Sequence, residues 1–185
     1  MKTITLSLIA LTMTLFVDAQ EFMGISVGGT TQECINKFLA KGLRKIHVEG
    51  GPKTVVTMMG VVNNQNIEIN IVSTPTSKKV WKIAAYFPEK TNWWSIKSEY
   101  IEIRQSLINK YGEPKQDYAF FTSPYYDGDG YEMSAISLEK CNYASYWENI
   151  SVEISKYKQV KVSYENLVNS AINEREVQNL KMNML

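Results

Sequence analysis

Between Trp94 and Tyr111, the apolar residues Ile96, Tyr100, Ile103, Leu107 and Tyr111 recur every three or four positions. That spacing lines them along one side of an α-helix, which must lay its stripe against another apolar surface. Gly112 favours the left-handed ending, and Pro114 forbids a continuation. The rest of the chain has to supply the surface on which this helix lies.

On both sides of it the apolar period falls from nearly four to two. Val55 to Val62 is rich in Val, Met and Thr, and Ile67, Ile69 and Ile71 alternate with Glu68, Asn70 and Val72. Asn63-Asn64-Gln65-Asn66 between them is turn chemistry, so a hairpin is expected. Val80 to Phe87 reads as a third strand, stopped by Pro88. Downstream, Lys115 to Phe121, Glu132 to Leu138, Tyr143 to Trp147, Val152 to Ser155 and Val160 to Tyr164 read as strands. In the last, Val160, Val162 and Tyr164 alternate with Lys161, Ser163 and Glu165, as in an antiparallel strand with one wet face.

Two further helices frame these runs. Thr30 with Glu33 fits a capping box, Cys34, Ile35, Phe38 and Leu39 share a face, and Gly42 can end the helix. Phe22 to Val27 before it reads as a short strand, with Gly28-Gly29 as the turn. A last helix begins near Asn166, but Val168, Ala171 and Ile172 point away from Val177, Leu180 and Met184. A break near Asn173, or a tail packed on something different, is expected, with frayed final residues.

The order helix, strands, helix, strands, helix describes an α+β fold. The expectation is one layered domain over 20–185, with units 22–90 and 91–165 and a C-terminal helix 166–185. Each unit would be a helix followed by antiparallel strands. Phe38-Leu39-Ala40-Lys41-Gly42 and Leu107-Ile108-Asn109-Lys110-Tyr111-Gly112 echo each other at the two helix ends.

The first nineteen residues read as an address. Lys2 gives a positive start, Ile4 to Val17 is apolar apart from Thr and Ser, and Val17-Asp18-Ala19 suits cleavage after Ala19. The apolar stretch is roughly 14 residues, short of the about 20 that a spanning helix needs. The chain is therefore expected to be exported, periplasmic or secreted, with no membrane span after cleavage. In an oxidising compartment Cys34 and Cys141 have two fates: a disulfide worth about 4 kcal/mol, or two small buried side chains that never meet.

The segments that look familiar are scattered and carry no chemistry. Phe22-Met23-Gly24-Ile25, Leu39-Ala40-Lys41-Gly42, Lys110-Tyr111-Gly112-Glu113-Pro114 and Tyr125-Tyr126-Asp127-Gly128-Asp129-Gly130-Tyr131-Glu132 resemble small exported proteins of Bacteroidetes bacteria. Some similar chains adopt tandem folds like the β-lactamase inhibitor protein. The resemblance implies a compartment and a fold, and no catalytic residue.

Composition narrows function further. Twenty Lys and Arg stand against 19 Asp and Glu, and no basic run interrupts the chain, so nucleic acid is not an expected partner. His47 is the only His, and no nucleophile elbow, phosphate-binding Gly-rich loop or dinucleotide fingerprint is present. No cofactor is expected. Asp127, Asp129 and Glu132 lie within six residues, with Gly128 and Gly130 between them, and their oxygens are weak candidates for Ca²⁺. The calcium-loop pattern is broken, because Tyr125 takes its first position and its distant Glu is missing, so a plain polar turn is the other reading.

The same loop is aromatic. Tyr118, Phe120, Phe121, Tyr125, Tyr126 and Tyr131 crowd about fourteen residues. Phe120 or Phe121 is expected in the core, while Tyr125, Tyr126 and Tyr131 are candidate binding residues, since Tyr suits interfaces. The sequence therefore points to an exported, non-enzymatic binding protein that recognises another protein or an envelope or extracellular ligand. The recognition surface would be its sheet face or its aromatic loops. The alternatives are a small exported hydrolase using Asp127, Asp129 and Glu132, or a calcium- or glycan-binding accessory module.

Overall fold

A computed structural model describes residues 21–62 and 64–183. The expected address segment and its cleavage after Ala19 lie outside these residues. The chain opens with a two-strand hairpin, β1 (Glu21–Phe22) and β2 (Ile25–Ser26). Helix α1 (Thr31–Ala40) follows, begun by the expected capping box. The Thr30 hydroxyl accepts the Glu33 N–H, and the Glu33 carboxylate accepts the Thr30 N–H at 2.7 Å. Gly42, at φ 83°, lets the chain turn out of the helix.

Four strands come next: β3 (Arg44–Ile46), β4 (Val55–Val62), β5 (Gln65–Ser73) and β6 (Val80–Tyr86). The β4–β5 turn is tighter than the sequence reading. Val62 pairs with Gln65, so Gln65 and Asn66 belong to the strand, and Asn64 takes a left-handed φ of 64°. Helix α2 (Trp93–Tyr111) is capped by the Asn92 side chain and buries Ile96, Tyr100 and Leu107 of the expected stripe. Another four strands then follow: β7 (Gln116–Phe121), β8 (Cys141–Tyr146), β9 (Ile150–Ile154) and β10 (Val160–Glu165). A short α3 (Glu132–Ser137) interrupts them between β7 and β8, and α4 (Leu167–Met182) closes the chain.

All eight strands from β3 to β10 form one antiparallel sheet, in the order β3-β4-β5-β6-β10-β9-β8-β7. The first four lie in chain order and the second four in reverse, and β6 meets β10 at the junction. Ile69, Ile71, Ile83, Ala85, Val152, Val162 and Tyr164 project from one face into a core shared with Phe38, Ile96 and Leu107 of the helices. The close approach of β3 and β4 depends on Gly60, where an added Cβ would sit 2.7 Å from the Leu43 Cγ.

One sequence expectation fails here, and two alternatives left open are not taken. Glu132 to Leu138 is not a strand but contains α3, whose Glu132, Ala135 and Ile136 are buried at helical spacing. Over six residues the alternation of Met133 with Ala135 mimics a strand, and burial of Ile136 decides the matter. The last helix does not break at Asn173 but runs unbroken to Met182, with no residue buried along it. It is held by polar ties instead. Asn169 Nδ2 donates to the Val80 carbonyl at 2.8 Å, and the Glu176 carboxylate accepts the Thr76 N–H at 2.7 Å. Finally, Cys34 and Cys141 are free thiols, one on α1 and the other on β8, so the disulfide alternative is not taken.

Ile83 sits fully buried at the β6–β10 junction and bears on both groups of strands. Ile83→Ala is expected to cost about 2–5 kcal/mol. Chemical unfolding followed by fluorescence and by circular dichroism should keep a single coincident transition. Two separable transitions would show that the two groups of strands fold independently.

Candidate functional site

The Asp-Gly loop between β7 and α3 is held to the start of α2 by one carboxylate. Asp127 accepts the Trp93 indole N–H at 2.7 Å and the Lys97 ammonium at 2.5 Å. The Lys97 hydrogen bond holds its carboxyl below the usual value, more than offsetting the opposing effect of burial, with help from Trp93. Lys97 is in turn pushed up, chiefly by the same bond. Its ammonium lies 5.4 Å from the Trp93 ring centre, 5.7 Å from that of Trp94 and 5.9 Å from that of Tyr143. Trp93 packs edge-on against Phe121 and Tyr143 beneath the loop, at 5.1 and 5.0 Å between ring centres.

The other two acids serve the loop itself. Asp129 accepts the backbone N–H groups of Tyr126 and Tyr131, at 3.0 and 2.7 Å. Glu132 is buried and accepts the Gly128 N–H at 2.8 Å. The three carboxylates thus spend oxygens on donors of the fold, as turn acids commonly do. Among the described residues no group of three His, Cys, Asp or Glu side chains is placed to hold a metal ion.

The loop tyrosines divide. Tyr126 and Tyr131 are each 65% exposed, close to Trp94 at 74%, whereas Tyr125 is half-buried. Of the Phe pair, Phe121 packs against the core and Phe120 is 50% exposed.

Thiol chemistry finds no support in the geometry. Burial pushes the Cys34 thiol up to about 11 and the Cys141 thiol up to about 12, so neither is a thiolate near neutrality. His47 is exposed, on the segment that follows β3. The nearest thing to a catalytic cluster lies between α2 and the β7–β8 pair. The Ser145 hydroxyl donates to Asp117 at 2.6 Å and meets Tyr100 at 2.8 Å, while Arg104 is paired with Asp117. Burial alone would raise Asp117, but the bonds from Arg104 and Ser145 outweigh it and bring its pKa below normal. An ionised, doubly bonded Asp is a poor general base, and the buried Ser145 has no neutral imidazole beside it.

A second surface emerges from the strand register. On the sheet face opposite the core, Tyr86 of β6 stands across from Lys161 of β10, which faces Glu153 of β9, which faces Ala144 of β8. Tyr146 on β8 and Tyr118 and Phe120 on β7 continue this face toward the sheet edge. Lys161 donates to Glu153 at 2.5 Å, and Lys82 to Glu165 at 2.9 Å. Burial opposes the charge on Lys161, but the Glu153 carboxylate prevails and raises its pKa. Three depressions of about 280, 200 and 330 Å³ lie side by side here, and Glu153 lines all of them. The wet face of β10 was legible from Lys161, Ser163 and Glu165, but its partners Glu153, Tyr86 and Tyr146 were not. Naming them requires the order in which strands pair.

Compared with protein-family models, with curated proteins and with solved structures, the chain matches none of them.

The lowered pKa values of Asp127 and Asp117 exist only in the folded chain. Their contribution is complete above the ordinary carboxylate value of 3.8 and fades as the pH falls through the lowered folded values. Asp127→Asn should therefore be less stable than the parent at neutral pH, with the gap narrowing as the pH falls below 3.8 and through the lowered folded value. Urea midpoints across that range measure it, and a gap that stays constant would contradict the assignment.

Proposed function

We propose that the chain is an exported, non-enzymatic binding protein that recognises a partner protein through the sheet face opposite its helices. The observation that carries this reading is the face itself. Tyr86, Tyr146, Tyr118 and Phe120 surround the half-buried Lys161–Glu153 pair, and three adjoining depressions share Glu153. Tyrosines are enriched at interface centres, where aromatic anchors dominate and water is excluded. The depressions are shallow and side by side, which suits a protein surface better than one small molecule. Export rests on Lys2, the apolar run Ile4 to Val17 and Ala19.

The same reading takes the chain as two tandem units, 22–90 and 91–165, the arrangement that its scattered sequence resemblance implies. Its support is the strand order, in which α1 and α2 are each followed by four strands and the two sets meet at β6 and β10.

The exposed Tyr126 and Tyr131 favour a second reading, in which the loop is the contact. The two are separated by capture of partners from cell envelope and culture medium. Tyr86→Ala with Tyr146→Ala should lower capture about tenfold or more, with little change in melting temperature. Tyr126→Ala with Tyr131→Ala should leave it unchanged. The reverse pattern would move the site to the loop, and full capture by both variants would remove both surfaces from consideration.

A further inference from the structure

The β7 end of the sheet is bare. Among the described residues its only strand neighbour is β8. Just past the strand, the Thr122 N–H donates to the Lys140 carbonyl at 2.8 Å, and the register pairs Phe120 with Asn142 and Tyr118 with Ala144. The even-numbered residues therefore turn their backbone groups inward to β8. Those of Asp117, Ala119 and Phe121 point outward.

Such an edge is a template for another strand, and proteins normally blunt it by shortness, Lys, Pro or a bulge. The opposite edge follows that rule, since β3 has three residues and two of them are Arg44 and Lys45. β7 does not. It runs six residues, Gln116–Phe121, in unbroken register with β8 and without Lys, Arg, Pro or Gly. Its single charge, Asp117, is tied to Arg104 and Ser145 on the core side. Its side chains on the other face, Tyr118 and Phe120, are 41% and 50% exposed.

We infer that β7 is a self-association edge. Two copies of the chain pair their β7 strands antiparallel, about a twofold axis that passes midway between the two Ala119 residues, perpendicular to the sheet. The occupant is a second copy because the strand complements itself in this register. Ala119 exchanges both backbone bonds with its counterpart, and Asp117 does so with Phe121 on either side. Tyr118 of each copy then stands opposite Phe120 of the other, giving two cross-strand aromatic pairs. No like charges meet, because the neutralised Asp117 faces Phe121. Pairing odd positions with odd also keeps both helix layers on one side, so the two partner-binding faces become one continuous surface. Six residues make a small contact, and the dimer forms in a concentration-dependent way.

Sedimentation equilibrium of the protein over micromolar to submillimolar concentration tests this. The mass should rise from one chain toward two. Ala119→Pro removes an outward N–H while sparing the inward bonds, and should weaken the dimer about tenfold or more. Tyr118→Lys with Phe120→Lys sets Lys against Lys twice and should do the same. Tyr118→Lys with Phe120→Glu sets Lys against Glu and should restore association. Circular dichroism checks folding, and the two charge variants decide the matter if Ala119→Pro does not fold. A chain that stays monomeric, or a dimer indifferent to both weakening variants, overturns the inference. A Lys/Glu variant as weak as the Lys/Lys one overturns the register.

Discussion

The antiparallel ladder between β6 and β10 decides what each side of this molecule can be. It joins Lys161 to Tyr86, Val162 to Ala85, Ser163 to Ala84, Tyr164 to Ile83 and Glu165 to Lys82. Because side chains alternate strictly along a strand, a slip of one residue would turn Val162 and Tyr164 to water and bury Lys161 and Glu165. The register is therefore enforced from both sides. The same choice that seats Ile83 beneath the helices places Lys161 among Tyr86, Glu153 and Tyr146 on the opposite face. Core and candidate interface are two consequences of one pairing.

The elements with strong local signals were legible in the sequence. The capping box at Thr30, the stripe from Ile96 to Leu107 and the alternation at Ile67 to Ile71 all appear in the fold, because each is fixed by neighbours a few residues away. What failed was decided at longer range. α3 is a helix because Ile136 and Ala135 are buried and Glu132 reaches Gly128, none of which a six-residue pattern reveals. α4 stays continuous although its apolar residues fall on two faces, because Asn166, Asn169 and Glu176 hold it to distant backbone through polar contacts. A reader of periodicity expects a helix to be held by its stripe, and this one is not.

The candidate site was half legible for a related reason. A cluster of acids between glycines looks like ligand chemistry, but a tight loop of this kind also has backbone N–H groups that the sheet cannot satisfy. Asp129 and Glu132 meet three of them, and Asp127 ties the loop to Trp93 and Lys97. The tyrosine excess likewise mixed two populations. Tyr118 belongs to a strand, where its partner Tyr146 lies 28 residues away in sequence, whereas Tyr126 and Tyr131 stay exposed on the loop. Local sequence counts aromatics, and only strand pairing sorts them by face.

The sheet face and the sheet edge are chemically different surfaces, so the two proposed contacts would not compete. The edge offers backbone donors and acceptors in the plane of the sheet, while the face offers Tyr86, Tyr146 and the Lys161–Glu153 pair perpendicular to it. A strand added at β7 leaves Glu153 two strands away and uncovered. With both helix layers on one side, a β7-paired dimer carries two equal faces pointing the same way. A partner presenting two epitopes would then meet the second face at a high effective concentration, without any new contact. For a half-buried ion pair such as Lys161–Glu153, the cost of taking both charges out of water offsets much of their attraction. In the proposed interface its place in the middle of the face would set polarity, because a fixed positive and negative pair among tyrosines would orient an incoming surface that a purely aromatic patch would leave free to rotate.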